Sequence, residues 1–164
     1  MIDRIRVLIV DDHLAVAESL QALLSRQADL DVGEVATNGT AALRIAGERT
    51  PQVVLMDQNL SGESGVVVAS TILAAHPGTA VVMLSGGMSQ DELIAAVEVG
   101  VSGYLLKTTP AAQIVKAIRR AAAGEILLPP EELASLVRLG RERARQQTER
   151  QRTMPQFTPR EREV

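Results

Sequence analysis

The stretch IRVLIVDD at residues 5–12 is an apolar run that ends in two acidic residues. A parallel strand that is buried on both faces reads as a continuous aliphatic run, so residues 5–10 are predicted to form such a strand. Three later apolar runs also end in a polar residue. In open α/β sheets the ligand crevice lies outside the carboxyl ends of the strands, so the polar residues are expected to meet there. These residues are Asp11, Asp12, Asp57, Ser85 and Lys107.

The residue types in this set indicate a particular chemistry. Three carboxylates brought together repel one another unless a cation lies between them. A hard cation such as Mg2+ prefers oxygen ligands in octahedral geometry and keeps several waters, so it suits such a group. A lysine and a hydroxyl beside the acids suggest a bound phosphoryl group. The sequence therefore predicts a site that handles a phosphoryl group together with Mg2+.

The rest of the chain repeats a strand-helix pattern five times. Alternating βα units imply a parallel sheet with helices on both faces, joined by right-handed crossovers. We therefore predict an α/β, doubly wound, flavodoxin-like fold whose five strands lie in the order 2-1-3-4-5. The predicted strands are at 5–10, 32–36, 52–56, 80–84 and 102–106, and the predicted helices are at 14–27, 40–48, 64–75, 90–98 and 110–123.

Composition limits the class of protein. With 164 residues, of which 46% are hydrophobic, the chain can bury one substantial core and leave a tail over. The core must be aliphatic, because there is no Trp and only one Tyr and one Phe. The absence of Cys fits a reducing compartment, and no signal peptide or membrane-spanning segment is recognised. A soluble, cytoplasmic protein without a membrane partner is expected.

The C-terminal part differs in composition from the body. Residues 1–130 contain 9 Lys and Arg against 14 Asp and Glu, whereas residues 131–164 contain 8 against 6. A helix is predicted over 131–145, and residues 141–156 lose the apolar stripe and are expected to form a solvated linker. A basic tail can face nucleic acid, but arginines on a solvated helix are the commoner explanation.

These motifs resemble those of a two-component response regulator. The resemblance covers about residues 4–123 and is carried by VDDH at 10–13, MD at 56–57 and GYLLK at 103–107. The octet FTPREREV at 157–164 resembles the start of a LuxR-type helix-turn-helix domain, which indicates the NarL/FixJ branch. The implied organisation is a receiver domain at 1–125, a partly helical linker at 126–156 and a truncated DNA-binding domain from 157.

The resemblance also implies a role for each site residue. Asp57 would accept a phosphoryl group from a sensor histidine kinase, and the chain would be a phosphoacceptor rather than a turnover enzyme. Lys107 and Ser85 would bind the phosphoryl group, and Tyr104 would turn inward when Ser85 moves. Phosphorylation would favour a homodimer, and DNA would be contacted only through the C-terminal domain. The implied Mg2+ ligands are Asp11, Asp12, Asp57 and the backbone carbonyl of Asn59.

Two positions depart from the family pattern. Many receivers have Pro four residues after the acceptor, but Ser61 stands there, so a more flexible acceptor loop is an expectation. Thr108 rather than Pro follows Lys107. Neither change removes a reacting group.

Three other functions can be compared with the sequence. A haloacid dehalogenase type of hydrolase needs a second acid where Asn59 stands, and a nucleotide binder needs a glycine-rich motif that GESG at 62–65 does not match. A phosphorelay or protein-binding receiver without DNA-binding output remains the alternative.

Overall fold

The computed structural model describes residues 3–128 and 130–153. Five parallel strands form one sheet in the order β2-β1-β3-β6-β7, which confirms the predicted doubly wound topology. Two further short strands, β4 and β5, form a separate antiparallel pair. The strands are β1 (Ile5–Val10), β2 (Leu30–Val32), β3 (Val53–Asp57), β4 (Asn59–Leu60), β5 (Glu63–Ser64), β6 (Ala80–Ser85) and β7 (Gly103–Leu106).

Helices cover both faces of the sheet. They are α1 (Leu14–Ser25), α2 (Gly39–Arg49), α3 (Gly65–Ala75), α4 (Gln90–Glu98) and α5 (Ala111–Ala122), followed by α6 (Pro130–Thr153). Side chains of α1 and α5 pack against one face, and side chains of α2, α3 and α4 pack against the other. Successive residues of β1 serve opposite layers, with Val7 and Ile9 in one and Leu8 and Val10 in the other.

The second strand is placed differently from the prediction. It covers Leu30–Val32 rather than 32–36, and the chain returns to the sheet only at Ala36, which forms an isolated bridge with Val10. The amide of Asp11 donates to the carbonyl of Ala36 at 3.0 Å. This contact fixes the start of the loop that carries the first two acidic residues.

The segment after Asp57 is a tight hairpin that the sequence did not predict. Strands β4 and β5 flank Ser61 and Gly62, whose φ angles are 46° and 92°. Two successive residues with positive φ are typical of a type I′ turn, which matches the twist of a hairpin. Proline cannot occupy position 61 in this conformation, because its ring fixes φ near −65°. Ser61, at the position where the family pattern has Pro, is therefore compatible with this turn, whereas Pro is not.

The residues after 128 form a separate unit. Within it, α6 continues to Thr153, beyond the end predicted for this helix at residue 145. Arg, Gln and Glu are strong helix formers even without an apolar stripe. The side chains from 141 to 153 are exposed, as expected. The predicted start of a helix-turn-helix at 157–164 lies outside the described residues. Among the residues that the structure describes, no helix is long and apolar enough to cross a bilayer.

A substitution at Gly65, at the start of α3, tests the close packing of α3 against the end of β3. A Cβ there would lie 2.0 Å from the backbone oxygen of Asp57, whereas a Cβ at Gly78 would meet nothing within 4 Å. Gly65→Ala should lower the free energy of unfolding by about 1–3 kcal/mol, because backbone atoms must move. Gly78→Ala should stay within about 0.5 kcal/mol. Urea denaturation measures both, and equal values would contradict the close approach.

Candidate functional site

The carboxyl ends of four sheet strands place the predicted site residues side by side. In the parallel register Val10 pairs with Met56, and Asp57 pairs with Leu84 on the next strand. Ser85 in turn pairs with Leu106. Asp11 and Asp12 follow β1, Asp57 ends β3, Ser85 ends β6 and Lys107 follows β7. One edge of the sheet therefore carries all five.

The acidic residues form one group of closely spaced ligand atoms. Asp11, Asp12, His13 and Asp57 each offer one such atom, and these atoms lie within 4.8 Å of one another. Asp11 and Asp57 are 2% and 3% exposed, so their charges are poorly solvated. His13 was given no role from the sequence. Its ring is 69% exposed and its Nδ1 lies 3.1 Å from Asp12 Oδ1.

Lys107 is the cation at the centre of this group. Its Nζ lies 3.0 Å from Asp57 Oδ1 and 3.8 Å from Asp11 Oδ2. Burial raises the pKa of Asp57, the hydrogen bond from Lys107 opposes the rise, and the charge of Asp11 adds to it. The net pKa of Asp57 is above the ordinary aspartate value, which shows that one ammonium does not fully offset the burial and the neighbouring charge.

Asp12 is held in place by the hairpin turn. Its Oδ2 accepts hydrogen bonds from the Ser61 hydroxyl at 2.7 Å and from the Ser61 amide at 3.1 Å. The hydroxyl bond is the largest cause of the lowered pKa of Asp12. Ser61 was singled out in the sequence only as a missing proline. Here it fixes one oxygen of Asp12 and leaves the other facing the acidic group.

That second oxygen bears on whether the site fits a metal ion. Asp12 Oδ1 is buried and has no hydrogen-bond partner, and the nearby His13 Nδ1 is not aligned to donate to it. A buried oxygen without a partner is costly unless something not in the protein chain satisfies it. The donors are carboxylate oxygens, which Mg2+ prefers. The residues therefore fit a hard divalent cation. The backbone amide of Asn59 lies 3.4 Å from Asp57 Oδ1, and its carbonyl as a ligand stays a prediction.

The Ser85 hydroxyl forms its hydrogen bonds with residues other than Asp57. Its hydroxyl donates to Gln58 Oε1 at 2.5 Å and accepts from the amide of Gly87 at 2.9 Å. Sequence reasoning missed Gln58, the residue after the predicted acceptor, which is 8% exposed. A buried glutamine at a strand end was the available signal, but its partner, 27 positions along the chain, could not be inferred.

Tyr104 lies on β7, on the face covered by α2, α3 and α4, where it packs against that cluster in a half-buried position. Leu105, the next residue, packs on the opposite face. The strand geometry therefore separates Tyr104 from Lys107, as the alternation of side chains requires.

Comparison with known proteins agrees with this geometry. The family model described as response regulator receiver domain matches residues 7–119. The transcriptional regulatory protein YxjL of Bacillus subtilis is 33% identical over 99% of this chain and 74% of its own length. LiaR, a transcriptional regulatory protein of the same species, is 37% identical over 74% of this chain, which spans only 57% of LiaR.

A solved structure shows the same fold. A LuxR-family two-component response regulator from Aurantimonas sp. SI85-9A1 superposes with a TM-score of 0.73 at 27% identity, covering 83% of this chain and 97% of that one. The family model spans more than half of the chain, and a relative above 30% identity is covered over most of its length. The chain therefore belongs to the response regulator receiver family, whose members are phosphoacceptors rather than turnover enzymes.

Proposed function

We propose that this chain accepts a phosphoryl group on Asp57 from a sensor histidine kinase, in the presence of Mg2+, and thereby controls dimerisation and a DNA-binding domain. The observation that carries the proposal is the buried Asp57 carboxylate, with Lys107 Nζ at 3.0 Å and further acidic ligand atoms within 4.8 Å. This arrangement combines a nucleophile, a cation for the incoming phosphoryl group and donors for a metal ion.

The reaction is an in-line displacement at phosphorus. A carboxylate oxygen of Asp57 forms a new O–P bond, the P–N bond of the donor phosphohistidine breaks, and its electron pair stays on the imidazole nitrogen. Catalysis of such a transfer is mostly positioning and charge stabilisation. Asp57 is positioned by β3, and Gly65 at the start of α3 lets the backbone pack closely behind it.

Asp11, Asp12, Asp57 and the carbonyl of Asn59 would hold Mg2+. When bound, the ion supplies positive charge that stabilises the phosphoryl oxygens. Ser61 keeps Asp12 ready for this task through two hydrogen bonds to its other oxygen. His13 lies beside Asp11 and Asp12. Its backbone amide donates to Asp11 Oδ1 at 2.9 Å.

Lys107 and Ser85 would bind the transferred group. The Lys107 ammonium now contacts Asp57 Oδ1 and is only about one-third exposed, so it can pair with a phosphoryl oxygen without a large movement. The Ser85 hydroxyl must turn away from Gln58 to donate to the same group. Tyr104, on the α4-facing side of β7, would repack in response.

The kinase can approach beside this site. A groove of about 390 Å3 runs from Asp11 and Lys107 between α1 and α5. The exposed apolar residues Leu14, Val16 and Leu23 lie on α1, and Val16 and Leu23 line the groove. Exposed apolar residues next to a reactive site suit a transient protein partner.

The proposed control of a DNA-binding domain is inferred from proteins that are similar to this chain. YxjL and LiaR are transcriptional regulatory proteins, and this chain spans 74% and 57% of their lengths. The octet at 157–164 resembles the start of a LuxR-type domain. A transcriptional regulator acting in the cytoplasm, in which phosphorylation drives homodimerisation, is the function that these observations support.

Phosphorylation of Asp57 has a direct test. Incubation with acetyl phosphate and Mg2+ should add one phosphoryl group by intact-mass measurement, and EDTA should prevent it. Asp57→Asn should abolish the adduct, because an amide is a poor nucleophile. Asp31→Asn, a change at a half-buried acid outside the site that pairs with Arg49, is the control and should label fully. Undiminished labelling of Asp57→Asn would contradict the assignment.

The charge imbalance predicts stability changes of opposite sign. The pKa of Asp57 is raised in the folded state, so its ionised form lowers stability at pH values above that pKa. In EDTA at pH 7, Asp57→Asn should therefore raise the free energy of unfolding. The pKa of Asp12 is lowered, so its ionised form contributes stability above the unfolded-state pKa, and Asp12→Asn should lower the free energy of unfolding.

Urea denaturation measures these changes, with Glu63→Gln in the same hairpin as the neutral control. Addition of Mg2+ should stabilise the parent protein and the Glu63→Gln variant much more than the two aspartate variants, because a ligand that binds the folded state stabilises it. Stabilisation of all four proteins by the same amount would contradict a metal site on these acids.

A further inference from the structure

Gln58 occupies a fixed position between the proposed acceptor and two other elements. Its backbone amide donates to the carbonyl of Leu84 at 3.0 Å, and its carbonyl accepts from the amide of Gly65 at 2.8 Å. The backbone therefore cannot shift without disturbing β6 and the start of α3. The side chain is buried, although it is polar.

The side-chain oxygen of Gln58 has a hydrogen-bond partner at the end of the neighbouring strand. Its Oε1 accepts the hydrogen of the Ser85 hydroxyl. The Ser85 oxygen in turn accepts from the amide of Gly87. The Gln58 side chain is therefore joined through Ser85 to the loop after β6.

Glu92 lies in the first turn of α4, which follows the loop after Ser85. It forms a capping box with Ser89, in which its Oε2 accepts from the Ser89 amide at 3.0 Å and its own amide donates to the Ser89 hydroxyl at 3.2 Å. The loop Gly86–Ser89 is thus held from both sides. Ser85 binds Gly87 at one end, and Glu92 binds Ser89 at the other.

The Ser85 hydroxyl has no donor capacity left in this arrangement. A hydroxyl carries one hydrogen, and here that hydrogen is committed to Gln58. A phosphoryl group on Asp57 can receive it only if the Ser85–Gln58 bond breaks. When that bond breaks, the buried Gln58 oxygen loses its donor, which is unfavourable unless the amide also moves.

We propose that Gln58 is a positioning residue that stabilises the resting state of the receiver, in which its side-chain oxygen holds the Ser85 hydroxyl away from Asp57. This proposal rests on the proposed function, because it assumes that Ser85 turns towards a phosphoryl group. The contacts of Gln58 exist in one state only, so they shift the equilibrium between the two states. Removing them should favour the phosphorylated form.

The test uses Gln58→Met, which keeps the length of the side chain and removes both hydrogen-bonding ends. Gln90→Met, at an exposed position of α4, is the matched control. Beryllium fluoride with Mg2+ serves as the phosphoryl mimic, and its dissociation constant is measured by NMR titration. Gln58→Met should bind the mimic about threefold to tenfold more tightly than the parent, the effect of removing one neutral hydrogen bond from the competing state. Gln90→Met should bind like the parent.

A purely structural role for Gln58 is separated by two further measurements. In a Ser85→Ala background, Gln58→Met should give no gain in affinity, because the hydroxyl that it releases is absent. Without the mimic, the NMR resonance of the Gly87 amide, which donates to the Ser85 hydroxyl, should shift in Gln58→Met and stay in place in Gln90→Met. Gln58→Leu removes the same hydrogen-bond acceptor and serves if Gln58→Met does not fold.

Three outcomes decide the matter. Equal affinity of Gln58→Met and the parent for the mimic, or a gain that persists without the Ser85 hydroxyl, overturns the role of Gln58. If the parent does not bind the mimic through Asp57, the proposed function fails instead. In that case the Gly87 amide resonance still decides whether Gln58 holds the Ser85 hydroxyl, and an unchanged resonance in Gln58→Met refutes that contact.

Discussion

Three carboxylates and one ammonium share the carboxyl ends of a buried parallel sheet, and their unequal charge governs the rest of the site. Lys107 lies 3.0 Å from Asp57 yet does not bring the pKa of Asp57 down to its ordinary value. Asp12 meanwhile keeps a buried oxygen without a hydrogen-bond partner. Both features are unfavourable in the isolated protein, and both are relieved by added positive charge. This imbalance is the physical basis for the proposal that the site binds a metal ion and, with it, a phosphoryl group.

The short hairpin after Asp57 arranges the groups that the acceptor needs. Ser61 binds one oxygen of Asp12 and leaves the other facing the acidic group, so it prepares a proposed metal ligand. Gln58 has the opposite effect on Ser85. It accepts the hydrogen bond of the hydroxyl that a phosphoryl group would require. Under the proposed roles, two positions three residues apart would thus favour metal binding and oppose the switched state. A receiver with both features would respond to phosphorylation rather than to Mg2+ alone.

Sequence reasoning succeeded where a single local pattern fixes the structure. Aliphatic runs ending in Asp57 or Ser85 define buried strands and their carboxyl ends, and parallel pairing then aligns those ends. The reasoning failed where backbone torsion or a distant partner decides the outcome. The turn at Ser61 depends on a positive φ, which the residue type alone does not specify. The contact between Gln58 and Ser85 joins positions 27 apart, and α6 is longer than predicted because helix propensity persists beyond its apolar stripe.

A high-resolution crystal structure of the chain with Mg2+ and beryllium fluoride tests the central claim most directly. The account predicts a fluoroberyllate group on a carboxylate oxygen of Asp57, with Lys107 Nζ and the Ser85 hydroxyl both within hydrogen-bond distance of its fluorines. It also predicts Mg2+ bound to Asp12 and a broken Ser85–Gln58 bond. A mimic bound elsewhere, or a Ser85 hydroxyl still bonded to Gln58 beside an occupied Asp57, would contradict it.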